Sequence, residues 1–376
     1  MKEVILVTKR LISFLSFLLV FFTFASLTVA AETGTASQEW VNLRILETTD
    51  IHADLMNYDY YQTKVDNRIG LVKTATLIRE ERKKSKNTLL FDDGDHLKGN
   101  PLGEYLARIR GMNKGKTHPV YRAFNYLKYD AIAIGNHEFN YGLGFLRTAL
   151  KGAKMPVLNA NVYSVKKNKP YFKPYTILKR NVIDESGESH VLNIGVLALM
   201  PTHIMKWDKA NLEGKVFAKP MLETAKELVP IIKAQGADII IALAHTGISS
   251  EPYHSDTENA VYYLTQIPEI DVVLAGHSHS VFPGQVYQGL PHTDLKSGLI
   301  NGKPVVMASA FGSRLGIIDL KLGHRTGRWQ IESKKSYTKP IADENGKSLV
   351  KTDKGLYKLV KEEHEEMVDF IKKLGL

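Results

Sequence analysis

The sequence predicts an α/β fold on two observations. Apolar runs of strand length alternate with longer amphipathic stretches along most of the chain. The composition, 44% hydrophobic and 24% charged over 376 residues, is that of a soluble globular protein with a large core. The strand-length runs are "VNLRILETT" (41–49), "TLLFD" (88–92), "AIAI" (131–134), "VLNIGVLAL" (191–199), "DIIIALA" (238–244) and "DVVLAG" (271–276). Two more, "PVVMASA" and "RLGIIDLKL", flank Gly312. Between them, "RIGLVKTATLIREERKKS" and Met221 to Gly236 carry helical spacing. No internal repeat or low-complexity tract interrupts the pattern.

The ends differ from the body. Lys2, Lys9 and Arg10 precede an apolar run from Leu11 to about Phe24, followed by small residues around Thr28 to Ala31. That order reads as a signal peptide over residues 1–30, cut after Ala30 or Ala31, and predicts a secreted, cell-surface or periplasmic protein. The apolar stretch up to Ala30 approaches the roughly 20 residues that span a bilayer, so the membrane would hold the chain only through this segment if uncleaved. Residues 31–40 are expected to form a flexible Thr/Gly/Ser/Gln tail, residues 41–345 the main globular domain, and residues 350–376 a charged amphipathic helix. Losing residues 1–30 leaves a mildly basic chain whose Lys and Arg are scattered and lack interleaved aromatics, so no nucleic-acid polymer is expected as a partner. The positive surplus can still attract phosphorylated substrates. The sequence contains no cysteine, so a metal must be held by His, Asp, Glu or Asn.

The residues immediately after the strands carry the chemistry. The first strand is followed by Asp50 and His52, the second by Asp93 and Asp95 after its own Asp92, and the third by Asn136 and His137. The fifth is followed by His245, and the sixth by His277 and His279. Carboxyl ends of strands in an open α/β sheet share one edge, where ligands bind. Residues i and i+2 of an extended segment point the same way, so Asp50/His52 and His277/His279 can each face one centre. Glycines at 94, 135 and 276 allow close backbone approach. A mixed carboxylate, imidazole and carboxamide set suits manganese, zinc or iron better than magnesium or calcium. Spacing alone does not choose the shared ligand among Asp92, Asp93 and Asp95. His96, His118, His203, His254, His292 and His324 do not follow strands in this pattern and are read as structural. No G-x-S-x-G elbow, Walker A loop or H-E-x-x-H is present, which argues against serine hydrolases, P-loop enzymes and zincins.

The blocks "TTDIHADL", "FDDGDHLKGNPLGEY", "AIGNHEFNYG", "ALAHTG" and "AGHSH" resemble, in order, those of the calcineurin-like metallophosphoesterases, in their 5′-nucleotidase-related branch. "HPVYRAFNYL", "ENAVYYL" and "HSHSVFPG" resemble the secreted bacterial 2′,3′-cyclic-nucleotide 2′-phosphodiesterase/3′-nucleotidases more closely still. The resemblance covers residues 41 to about 320. It implies a four-layer αββα sandwich with a dinuclear site at the strand C-terminal ends. It implies two divalent ions, manganese, zinc, iron or cobalt, with Asp50, His52, Asp95 and His279 at the first. Asn136, His245 and His277 complete the second, with Asp95 bridging. His137 takes the catalytic-histidine place beside the metals, where with Asn136 it also meets substrate. The implied reaction is hydrolysis of nucleotide phosphoesters by a metal-bridging hydroxide, 2′,3′-cyclic nucleotides going to 3′-nucleotides and then to nucleoside and phosphate.

Two departures qualify it. The 5′-nucleotidases place an Asp three residues after the catalytic histidine, whereas this chain has Asn140, which orients the ring but stabilises an imidazolium less. Asn is typical of the cyclic-phosphodiesterase branch. Relatives also carry a C-terminal substrate-binding domain after a connecting helix, and residues 350–376 resemble only the start of that helix. The expectation is that this domain is missing or supplied separately, or that the substrates need no base recognition. The alternatives are a 5′-nucleotidase or less specific phosphatase, and an inactive metal- or nucleotide-binding fragment.

Overall fold

The computed structural model describes residues 39–112, 115–325 and 327–375. The expected signal peptide and nearly all of the tail lie outside them. From the N-terminus run β1 (Glu39–Thr48), α1 (Leu71–Lys84), β2 (Asn87–Asp92), α2 (Pro119–Leu127), β3 (Ala131–Ala133), α3 (Gly142–Leu150) and β4 (Val157–Leu158). Then come β5 (Tyr175–Ile183), β6 (Ser189–Leu199), α4 (Met221–Ala234), β7 (Ile239–Ala244), β8 (Val272–Ala275) and β9 (Lys303–Ala308). The chain closes with β10 (Arg314–Arg325), β11 (Arg328–Pro340) and α5 (Lys354–Lys373).

Period-two alternation assigns the side chains to layers. Val41, Leu43 and Ile45 of β1, Leu89 and Phe91 of β2, Ile194 and Val196 of β6, and Ile241 and Leu243 of β7 share one buried cluster. That cluster lies between a first sheet of order β11-β10-β1-β2-β3-β4 and a second containing β9-β8-β7-β6-β5. Alternate residues face outwards. Leu46, Leu90 and Ile132 pack under α1, α2 and α3, while Leu199, Ile240, Ala242 and Val273 pack under α4. Each such Val, Leu, Ile or Phe side chain contributes about 1.5–3 kcal/mol on burial. The result is the expected four-layer αββα sandwich.

Pairing of β1 with β2, β2 with β3, β6 with β7, and β7 with β8 is parallel, so these strands bring their C-terminal ends to one edge. All eight strand-length runs form strands. Sequence reading did not single out β5 and β11. Both are edge strands that carry Lys and Arg, whose pattern of half-solvated charge hides the alternation.

The terminal helix α5 is docked on the domain. Leu356 and Val360 enter the helix-side core, and Met367 and Ile371 pack with Tyr60, Leu102 and Leu106. Buried Glu363 pairs with Arg122 at 2.5 Å, and Asp353 caps the first turn by accepting from the Leu356 N–H. Among the described residues no helix is long and apolar enough to cross a membrane.

Candidate metal centre

The loops leaving the strands are tightly wound. Five residues, Asp50, His52, Asp95, His277 and His279, have φ between +50° and +67°, the left-handed region that side chains avoid. The i, i+2 argument from extended backbone is therefore corrected: β1 ends at Thr48 and β8 at Ala275, and the polar residues turn inwards by left-handed kinks. Such kinks cost about 1 kcal/mol or more each and persist where surrounding bonds fix them. The N–H groups of Asp50, His52 and Ala53 donate to the carbonyls of Gly94, Asp95 and His96, at 2.9, 2.8 and 2.8 Å. Gly94 itself sits at φ +111°, and a Cβ on Gly135 would lie 2.3 Å from Asp95 Oδ1. These two glycines let the β2 and β3 loops touch.

Three overlapping groups of side chains result. Asp50, His52 and His279 offer ligand atoms mutually within 4.8 Å, as do Asp95, His245 and His277, and as do His52, Asp95 and His137. Asn136 joins the second group, its Oδ1 2.9 Å from His277 Nδ1 and 3.1 Å from His245 Nε2. Asp95 belongs to the last two of these groups, and His52 links it to the first. The rings are tethered from behind. His52 Nδ1 meets the Lys98 carbonyl at 2.5 Å and His245 Nδ1 the Asp93 carbonyl at 2.8 Å, so each turns Nε2 inwards. His277 is reversed, Nε2 meeting Glu258 at 2.8 Å and Nδ1 facing the centre. Such outer partners orient ligating imidazoles. Glu258 was missed in the sequence because it follows no strand.

His137 stands beside the groups. Its backbone N–H donates to Asp95 Oδ1 at 2.7 Å, while its Nδ1 lies 2.6 Å from Asn140 Oδ1. The amide of Asn140 donates in turn to Asp208 Oδ2. Because a carboxylate only accepts, the amide orientation is fixed, and the ring hydrogen is assigned to Nδ1 with Nε2 left to act. Asp208 also accepts from Asn211 Nδ2 at 3.0 Å. It supplies, one residue removed, the carboxylate that Asn140 lacks. No periodicity marks it in "MKWDKAN". Asp208→Ala is expected to lower turnover about tenfold, roughly 1.4 kcal/mol, with metal content unchanged; steady-state kinetics beside elemental analysis checks it.

Residues 43–281, which hold all of these side chains, match the calcineurin-like phosphoesterase family. A solved structure of the calcineurin-like phosphoesterase YfkN from Bacillus subtilis is 42% identical, covers 89% of this chain and 99% of that one, and superposes with a TM-score of 0.84. This chain belongs to the calcineurin-like phosphoesterase family. It is also 44% identical over 346 residues to a 2′,3′-cyclic-nucleotide 2′-phosphodiesterase/3′-nucleotidase of Salmonella typhimurium, covering 92% of this chain and 53% of the other. With the trifunctional nucleotide phosphoesterase YfkN of Bacillus subtilis it shares 42% identity over 92% of this chain and 23% of the other. The chain thus spans about half the length of the first of these relatives and less of the second.

The calcineurin-like family implies divalent metal ions, and the donor set fits them. Asp50 Oδ1 is buried without a hydrogen-bond partner, and His279 Nε2 stands 3.3 Å from it. His52 Nε2 and His279 Nε2 face each other at 2.9 Å. A cation among them would satisfy all three atoms. Burial alone would raise the Asp50 carboxyl, but His245, His279 and His52 outweigh it and hold it well below the usual range. Asp95 behaves likewise, burial being outweighed by His245, His137 and His52. The imidazoles answer in kind: against burial, Asp50 and Asp95 push His52 up to about 9, and Asp95 and Asp50 push His245 well up. His277 is lowered by burial and by His245. Divalent ions held by these residues would take the place of those protons, so binding would release them.

Proposed function

We propose that the chain hydrolyses nucleotide phosphoesters, opening 2′,3′-cyclic nucleotides to 3′-nucleotides and then releasing phosphate and nucleoside. The observation that carries this is the convergence of seven donor side chains, with His137 standing beside them and oriented from behind. Asp50, His52, Asp95 and His279 would hold one divalent ion and Asp95, Asn136, His245 and His277 the other, drawn from manganese, zinc, iron or cobalt. When bound, such a pair activates water near neutral pH and neutralises phosphate oxygens.

The chain's own residues do the rest. Asn136 and His137 meet the phosphate as the P–O2′ bond breaks, and His137 Nε2 gives a proton to the departing ribose oxygen. A water oxygen forms the new P–O bond, so the 3′-phosphate and the 2′-hydroxyl are both accounted for. Asn140, backed by Asp208, keeps the Nδ1–H tautomer and steadies the imidazolium. Export by residues 1–30 would place this reaction outside the cytoplasm. In this reading α5 (Lys354–Lys373) is the start of a connector to a substrate-binding domain. A 5′-nucleotidase or a less specific phosphatase is the second reading.

The chain purified with manganese is expected to turn over bis-p-nitrophenyl phosphate and 2′,3′-cyclic AMP, both abolished by chelator, with 3′-AMP faster than 5′-AMP. Turnover of the small ester alone would assign nucleotide grip to another domain. No chelator-sensitive turnover despite bound metal would overturn the proposal in favour of an inert fragment.

A further inference from the structure

At the other end of the sheets from the candidate metal centre, three side chains uninvolved in it converge. Glu39 opens β1 and lies in register with His324 near the end of antiparallel β10, both in the first sheet. His190 lies at the start of β6, in the second sheet. Glu39 Oε2 stands 2.7 Å from His324 Nδ1 and 3.3 Å from His190 Nδ1. The two rings have centroids 5.2 Å apart.

The far side of His190 is fixed. Its Nε2 meets Asp184 Oδ2 at 2.9 Å. Asp184 is only 4% exposed, and its other oxygen accepts from the Ser186 hydroxyl and the N–H groups of Gly187 and Glu188, at 2.7, 2.8 and 2.8 Å. With the Nε2 hydrogen committed to Asp184, a neutral His190 turns a lone pair toward a carboxylate oxygen. Acceptor facing acceptor is favourable only with a proton or a cation between them. Trp329 closes one side, its ring 4.5 Å from that of His324 and its Nε1–H donating to the Val191 carbonyl at 3.1 Å.

We propose that Glu39, His190 and His324 form a zinc site separate from the phosphoesterase centre, with Asp184 positioning His190. Two imidazoles and one carboxylate are borderline donors that select zinc over magnesium or calcium. Tetrahedral zinc with bonds near 2.0–2.1 Å sets its ligands about 3.3 Å apart, the Glu39–His190 spacing, and His324 reaches it by a small opening of its hydrogen bond. A carboxylate behind the outer nitrogen of a ligating histidine is the usual second partner of such a metal. Solvent takes the fourth position. Because Glu39 and His324 belong to one sheet and His190 to the other, zinc would tie the two sheets across this end of the sandwich.

Equilibrium dialysis against excess zinc, followed by elemental analysis, tests it. His190→Asn and His324→Asn are each expected to bind one zinc fewer per chain than the unaltered protein, with bis-p-nitrophenyl phosphate turnover unchanged. Equal zinc in all three overturns the site. Should either variant fail to fold, the unaltered chain still decides: zinc should protect His190 and His324 from diethyl pyrocarbonate, read residue by residue by mass spectrometry, and equal modification with and without zinc overturns the proposal.

Discussion

Replacing His137 with alanine is expected to lower turnover of 2′,3′-cyclic AMP by about 100-fold or more, within the ~10²–10⁴ range of a positioned proton donor. Metal content should stay at the level of the unaltered protein. The contact that His137 makes with Asp95 runs through its backbone N–H, which alanine keeps, so the loop and the shared carboxylate remain in place. What disappears is an imidazole whose tautomer is set by Asn140 and Asp208. Bis-p-nitrophenyl phosphate adds a second reading, since its nitrophenolate leaves without needing a proton. A much smaller loss on that ester than on the ribose ester marks His137 as the acid for the leaving group. Equal large losses mark it as a stabiliser of charge on the phosphate. Unchanged turnover on both substrates removes His137 from the reaction.

Most of the site was legible because its residues follow buried strands, where polar clusters stand out. "YDAIAIGNH" announces itself: an apolar run with nowhere to put an Asn-His pair except at the sheet edge. The reason those pairs point inwards was not legible. Asp50, His52, His277 and His279 adopt left-handed backbone, which no spacing rule reveals in residues other than glycine. The outer partners were equally hidden. Glu258 and Asp208 lie in loops more than ten residues from the strand ends they serve, and only the fold brings them behind His277 and Asn140. The same limit explains His324. As a lone histidine that does not follow a strand in the site pattern it reads as structural, and its partners Glu39 and His190 are about 285 and 134 positions away. Layers follow from local alternation, whereas sites built across loops follow from tertiary placement.

Glu138→Ala is expected to produce the largest loss of stability of any single change near the site, about 3–5 kcal/mol. Glu138 is fully buried, and its two oxygens accept from four backbone N–H groups. Oε1 takes those of His96 and Leu97 at 2.5 and 3.1 Å, and Oε2 those of Asp95 and Gly135 at 2.8 Å each. One side chain thus stitches the loop after β2 to the loop after β3. Alanine would leave the four donors without that acceptor in a dry interior, at about 1–3 kcal/mol for each one that finds no substitute. The midpoint of thermal unfolding should fall by about 4–7 °C. Glu138→Gln keeps the volume but turns an amide NH₂ toward one pair of N–H groups, donor against donor, so it should recover little of the loss. Because the left-handed turn at Asp95 is held by this same knot, turnover should drop further than the folded fraction does, and excess metal should restore only part of it. A Glu138→Ala protein that unfolds within a degree or two of the unaltered chain and keeps its activity would show that the two loops are held by their hydrogen bonds to the β1 loop instead.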